Sequence, residues 1–280
     1  MNIKIITDSC SDLPEEIVEK YKITVIPLEI RFKDETYIDG IDLKSDDFFD
    51  MLKKSDELPK TASPSPEQFL DAFAGPEEDI IVVTISSKLS STYNSALIAK
   101  GLYEQDNDDK KIHILDSKNA SVGEGLVVMR IAQLIESGTG IREVLEAADS
   151  FIQETQIFFL LDTLENIVKG GRIGKVAGQI ASILSIKLIM KSDGNGVVDL
   201  AEKVRGSKRA FRRLVEIVGE NANNIENRIL GIAHANCYEK ALEYKKLIEE
   251  RYNFKDIIIS KIGATIGTYS GEGGLLVAFL

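Results

Sequence analysis

The feature that most restricts the fold of this chain is a unit that occurs three times in its first half: a short β-branched run, a turn rich in Ser, Thr and Asp, and a helical pattern. Ile3 to Ile6 runs into Thr7-Asp8-Ser9-Cys10-Ser11-Asp12-Leu13-Pro14, where Ser11 or Asp12 is suited to cap a helix carrying Pro14 in its first turn. Glu15 and Glu16 fall near the positive end of that helix. Ile80 to Ile85 runs into Ser86-Ser87-Lys88-Leu89-Ser90-Ser91-Thr92-Tyr93, with a helix from about Asn94. Ile112 to Leu115 runs into Asp116-Ser117-Lys118-Asn119-Ala120-Ser121, followed by the apolar periodicity of Val127 to Ile135. Alternation of this kind predicts a doubly wound parallel sheet with helices on both faces. Ligands of such sheets lie beyond the carboxyl ends of the strands, so the hydroxyl-rich turns are expected on one shared edge.

Between the first two units, Ile26, Leu28, Ile30 and Phe32 alternate, the turn Lys33-Asp34-Glu35 follows, and Thr36-Tyr37-Ile38 returns. This reads as a β-hairpin arm over about residues 22–45. The stretch Pro59-Lys60-Thr61-Ala62-Ser63-Pro64-Ser65-Pro66 then leads back to the sheet, its prolines holding the backbone extended before a helix near Glu67. From about residue 155 the pattern changes. Phe158 to Leu161 is a strand, Asp162-Thr163-Leu164-Glu165 caps a helix, and Lys169-Gly170-Gly171-Arg172-Ile173-Gly174 breaks it. Ile180, Ile183 and Leu184 recur at helical spacing within residues 176–185. Two strands, Ile186 to Met190 and Val197 to Leu200, flank a turn, a helix spans about Lys208 to Val218, and a further strand, helix and strand follow. The chain closes with a glycine-dense loop, 263–274, and the apolar run Leu275 to Leu280. The expected organisation is an α/β protein of two domains, residues 1–154 with the parallel sheet and residues 155–280 with a mixed α/β fold.

A length of 280 residues suits two ordinary domains, and 44% hydrophobic with 28% charged residues is a globular composition. The net charge of −11, with basic residues interleaved among acids, argues against a nucleic-acid partner. No apolar stretch reaches membrane-spanning length, and the N-terminus lacks the apolar region and cleavage site of a signal peptide. A cytoplasmic, monomeric protein is expected. Cys10 and Cys237 form no CxxC pattern and signal neither a disulfide framework nor a metal site.

Three Ser/Thr-rich turns on one edge, with Thr61 and Ser63 brought near by the Pro-rich stretch, form the strongest candidate site. Hydroxyls bind an anion without adding positive charge, which suits a single carboxylate better than a polyphosphate. Helix capping and turn formation explain any one of these turns equally well. Asp8 and Asp116 are open to the same turn explanation as against acid-base work. A Ser-His-Asp hydrolase lacks a GxSxG elbow and has only His113 and His234 as bases. Lys169-Gly170-Gly171-Arg172 lacks the spacing of a phosphate loop; a helix C-terminus accounts for its glycines and leaves Arg172 unexplained.

Taken in order, Thr7-Asp8-Ser9 with Asp12-Leu13-Pro14, Thr61 to Pro66, Leu89 to Ala96, Asp116-Ser117, Lys169 to Ile173, Lys203-Val204-Arg205-Gly206 and the terminal glycine loop resemble the DegV family. Each motif is short, and their order along nearly the whole chain carries the likeness. The resemblance implies a non-enzymatic carrier, without cofactor, catalytic residue or metal. It implies a long-chain fatty acid in a tunnel between the two domains. The family's carboxylate-binding hydroxyls match Thr61 and Ser90, and the ligand-binding set is expected to comprise Thr61, Ser63, Ser90, Ser91, Thr92, Ser117, Arg172, Tyr269 and Ser270. Arg205 is assigned to contact with an ATP-dependent fatty-acid kinase to which the acid is presented. Ile180, Ile183 and Leu184 are candidates for the tunnel wall, ordinary core packing being the alternative. The chain departs from the family pattern at Tyr269, where a histidine is frequent; a phenol of ordinary pKa near 10 donates a hydrogen bond without becoming a cation. The alternative function is an acyl hydrolase or transferase with a Ser or Thr nucleophile.

Overall fold

The computed structural model describes residues 3–174, 176 and 186–280. The segment carrying Ile180, Ile183 and Leu184 lies outside the described residues. The expected parallel sheet is present: β1 (Ile3–Asp8), β2 (Thr24–Ile26), β6 (Asp79–Thr84) and β7 (Lys111–Asp116) run parallel in the order β2-β1-β6-β7. These strands read as continuous apolar runs because both faces are covered. Ile80 and Val82 face Phe69 of α3 (Pro66–Ala72), Phe73 just beyond its end, and Ala96 and Ala99 of α4 (Thr92–Asp106). Ile81 and Val83 point the other way, into a core with α5 (Val122–Glu136).

The second sheet has six strands in the order β10-β9-β8-β13-β11-β12, all neighbours antiparallel except β11 and β12. Its members are β8 (Gln156–Leu160), β9 (Ile186–Ser192), β10 (Val198–Arg205), β11 (Ile229–His234), β12 (Asp256–Lys261) and β13 (Leu275–Phe279). Phe158, Leu160, Leu230 and Val277 pack on α8 (Ser207–Asn221) and α9 (Tyr238–Glu249), through Phe211, Leu214 and the buried Tyr244. The opposite face, with Ile157, Phe159, Leu276 and Ala278, joins the core that holds α5. Helix α5 therefore lies between the sheets, which explains why it is buried nearly all round instead of along one stripe.

The hairpin arm is present and gains a strand. β3 (Glu29–Phe32) pairs antiparallel with β4 (Glu35–Ile38) on one side and with β5 (Lys60–Ala62) on the other, in the register Ile30 opposite Thr61. The Pro-rich stretch is thus a short edge strand. The expected cap at the start of the chain is corrected. Asp8 caps a 3₁₀ turn over Ser9–Ser11 by accepting from the Cys10 N–H, and α1 (Glu15–Tyr21) starts behind Pro14 with no side-chain cap. Asp12 takes a left-handed backbone, φ 47°, and turns its carboxylate toward the far end of the chain. The terminal glycine region, read as loop, contains the helix α10 (Ala264–Ser270).

Candidate functional site

The loops after β1, β6 and β7 lie on one edge, and mostly they hold each other. Asp8 accepts from the Cys10 and Ile85 N–H groups, the Ser86 N–H donates to the Asn119 carbonyl, and the Ser121 N–H donates to the Cys10 carbonyl. Ser117 is fully buried and its hydroxyl bridges to Asn119, accepting from the N–H and donating to the carbonyl. The shared edge is a cross-braced platform, and of these loops the one after β6 supplies the hydroxyls, Ser90 and Ser91, that line the neighbouring cavity.

Beside that platform is a cavity of about 370 Å³ lined from both sheets and from the arm. Its apolar wall includes Leu28, Ile85, Leu89, Ile157, Phe159, Leu161, Ile167, Val198, Ile266 and Leu276. The alternation of β8 explains two of these: Ile157 and Phe159 face the cavity while Phe158 and Leu160 enter the opposite core. The polar lining consists chiefly of Thr61, Ser63, Ser90, Ser91, Arg172, Tyr269 and Ser270, with Lys118, Asn119, Lys191, Ser192 and Thr265 elsewhere on the wall.

The hydroxyls pair across segments far apart in sequence. Thr61 Oγ1 lies 2.6 Å from Tyr269 Oη, Ser63 Oγ lies 2.6 Å from Ser91 Oγ, and Ser90 Oγ lies 2.8 Å from Thr92 Oγ1. A pair of hydroxyls has two protons and uses one between its members, so each pair retains a proton to donate. Arg172 adds a cation. Its guanidinium donates to the Leu89 and Gly170 carbonyls and stands 5.2 Å from the centre of the Tyr269 ring. Gly170 is required by that ring, because a Cβ on residue 170 would sit 2.5 Å from two Tyr269 ring carbons. The glycine that helix termination accounted for in the sequence is thus also a contact of the site.

Among the described lining residues there is no carboxylate and no imidazole. His113 sits beside Asp79 between β6 and β7, and His234 accepts from the Cys237 N–H next to the Tyr238 ring. Burial holds both imidazoles below their usual pKa. Neither reaches Ser90 or Thr61 to act as a base. No group of His, Cys, Asp or Glu among the described residues is arranged to hold a metal ion.

Of the residues singled out in the sequence, Thr61, Ser63, Ser90, Ser91, Arg172, Tyr269 and Ser270 line the cavity; Thr92 and Ser117 do not. Thr92 is buried at the start of α4 and orients Ser90. Arg205 is exposed on β10 in a separate surface depression with Arg209 and Arg212. Sequence reasoning missed the apolar wall, whose residues are ordinary core types, and a buried carboxylate group behind α10 formed by Asp8, Asp12 and Asp39.

An apolar cavity in an α/β fold, with hydroxyl donors, Arg172, Lys118 and Lys191 among its lining, has the form of a site for an amphipathic small molecule. The chain belongs to the DegV family: the family model described as "Uncharacterised protein, DegV family" matches residues 2–280. A DegV domain-containing protein of Streptococcus pneumoniae R6 is 33% identical over 282 residues, covering 100% of this chain and 99% of the relative. A DegV-family protein from Ruminococcus gnavus, solved with vaccenic acid, superposes with a TM-score of 0.94 at 34% identity, covering 99% of each chain. The Fatty Acid Kinase B3 protein of Streptococcus pneumoniae, loaded with linoleic acid, gives 0.89 at 30% identity, covering 100% of this chain and 99% of that one.

Proposed function

We propose that this chain binds a long-chain fatty acid, with its tail in the apolar cavity and its carboxylate at Thr61, Ser63, Ser90, Ser91, Arg172 and Tyr269, and presents it to an ATP-dependent fatty-acid kinase. The observation that carries this reading is the pairing of an apolar wall with a cluster of hydroxyl donors beside Arg172, among described lining residues that include neither carboxylate nor imidazole. The fatty acids bound by the relatives from Ruminococcus gnavus and Streptococcus pneumoniae support it. The acid would lie between residues 1–154 and 155–280, and the reading needs no cofactor of the carrier's own.

The energetics divide by chemistry. At about 0.8 kcal/mol per buried methylene, a chain of roughly sixteen carbons contributes on the order of 10 kcal/mol before the cost of association. A neutral hydrogen bond nets about 1 kcal/mol. The tail sets affinity and the hydroxyls set orientation. Arg205, exposed beside Arg209 and Arg212, is the assigned kinase contact.

The test is the mass of whatever survives purification. Native mass spectrometry of the purified chain should show a C14 to C18 acid, and a chain that is empty and takes up none of these acids refutes the reading. Thr61→Val with Ser90→Ala should lower acid affinity about thirtyfold, the loss of two hydrogen bonds at about 1 kcal/mol each. Unchanged affinity would show that the carboxylate is held elsewhere.

A further inference from the structure

The helix that carries Tyr269 has no cap of its own. Its N-cap residue is Gly263, and α10 is built from Ala-Thr-Ile-Gly-Thr-Tyr-Ser, in which glycine and two threonines are poor helix formers. The missing acceptor comes from the hairpin arm, 225 residues away. Asp39 Oδ1 accepts from the Ala264 N–H at 3.0 Å, and Oδ2 accepts from the Thr265 N–H at 3.1 Å and the Thr265 hydroxyl at 2.6 Å. Ser9 donates a fourth hydrogen bond to the same carboxylate at 3.0 Å, and its oxygen accepts from the Leu28 N–H. Asp39 is only 4% exposed, and its backbone N–H is tied to the Leu28 carbonyl at 2.9 Å.

The same arm holds the other end of α10. Thr61, on β5, bonds Tyr269, and β5 and β4 flank the common strand β3, which places Thr61 and the residue before Asp39 in one three-stranded sheet. Thr265 and Tyr269 are one helical turn apart, on the same face. A shift of the capped first turn therefore moves the phenol relative to Thr61, Arg172 and the bound carboxylate.

We propose that Asp39 is a positioning residue for the head-group site, acting through the first turn of α10 to hold the Tyr269 hydroxyl where it meets the ligand's carboxylate. The inference rests on the fatty-acid reading above and assigns discrimination of the head group, separately from tail affinity, to a residue that does not line the cavity. Asp39→Asn is nearly isosteric. Its amide can still accept from the Ala264 N–H, but the other atom is a donor and leaves the Thr265 N–H without its acceptor.

The experiment measures binding of palmitic acid and of its methyl ester to the wild type and to Asp39→Asn. The ester keeps the tail and removes the charge. Wild-type protein should prefer the acid at least tenfold; equal affinities would show that the head-group assignment itself is wrong. Given that preference, Asp39→Asn should reduce the acid-to-ester ratio about tenfold while ester affinity stays within about threefold, on the scale of one hydrogen bond to a charged group. Loss of acid and ester affinity in parallel, or an unchanged ratio, would overturn the inference. If Asp39→Asn does not fold, Thr265→Val removes the hydroxyl donor alone; an acid-to-ester ratio reduced at least threefold is then expected, and an unchanged ratio overturns the proposal.

Discussion

Gly196 is where the turn between β9 and β10 meets the loop after β6, and replacing it gives a sharply defined outcome. Its φ is +87°, and a Cβ there would lie 2.1 Å from Ser86 Oγ and 3.1 Å from Lys118 Cα. The Ser86 hydroxyl donates to the Gly196 carbonyl at 2.9 Å and accepts from the Lys88 N–H at 3.1 Å. In Gly196→Ala the left-handed backbone costs roughly 1–2 kcal/mol. Ser86 must also swing away, breaking two hydrogen bonds at about 1 kcal/mol each. The sum is about 3–4 kcal/mol, or roughly 10 °C in Tm for a chain of this size. Ser86→Gly alone loses the same two bonds. The double variant cannot lose them twice, so its destabilisation should fall short of the sum of the singles by about 2 kcal/mol. Urea unfolding of the four proteins measures this cycle. Additivity within about 0.5 kcal/mol, or a Gly196→Ala variant as stable as wild type, would show that the Ser86 contact is not what the glycine accommodates.

Two further outcomes follow from the buried groups. Burial, the largest cause in each case, pushes the Asp8 carboxyl up to about 6 and the Asp12 carboxyl up to about 8, and raises Asp39 and Glu124 as well. Their folded pKa values lie above the unfolded value near 4, so the folded chain holds protons that the unfolded chain has released. Stability should therefore fall as pH rises from about 4 to about 8, giving a higher Tm at pH 5.5 than at pH 8.5; Asp12→Asn should flatten the profile, and a profile rising over that window would refute the assignment. Tyr269→Phe keeps the ring against Arg172 and removes only the hydroxyl that pairs with Thr61. It should weaken fatty-acid binding two- to tenfold in isothermal titration, the scale of one hydrogen bond, and leave no further effect for Thr61→Val to add beyond about twofold.

Much of the parallel sheet was legible because its signal is local. Runs such as Ile80 to Thr84 can be buried on both faces only in a covered parallel sheet, and the turns that follow carry their own Ser, Asp and Gly chemistry. Thr61, Ser63, Ser90 and Ser91 could be singled out because they stand in hydroxyl-rich turns next to strands, whereas Arg172 and Tyr269 were assigned through the resemblance to the DegV family. Ser117 shows the limit of that reasoning: in sequence it matches Ser90, yet its hydroxyl closes a turn with Asn119 and never reaches the cavity. In α5 the apolar residues occupy nearly every face, a pattern that makes sense only once sheets are found on both sides.

Local pattern suffices for the strand and helix alternation, the parallel character of the first sheet and the hydroxyl-rich turns at its edge, because hydrophobic period and turn chemistry act over a few residues. Tertiary contacts make Lys60–Ala62 a strand and the 264–270 segment of the terminal glycine region a helix, and they pair Tyr269 with Thr61. Each of these depends on partners supplied from elsewhere in the chain: β3 pairs with Lys60–Ala62, Asp39 caps the helix, and 208 residues separate the members of the hydroxyl pair. Such contacts form only when the arm, the platform and the second sheet have come together, and no local pattern encodes them.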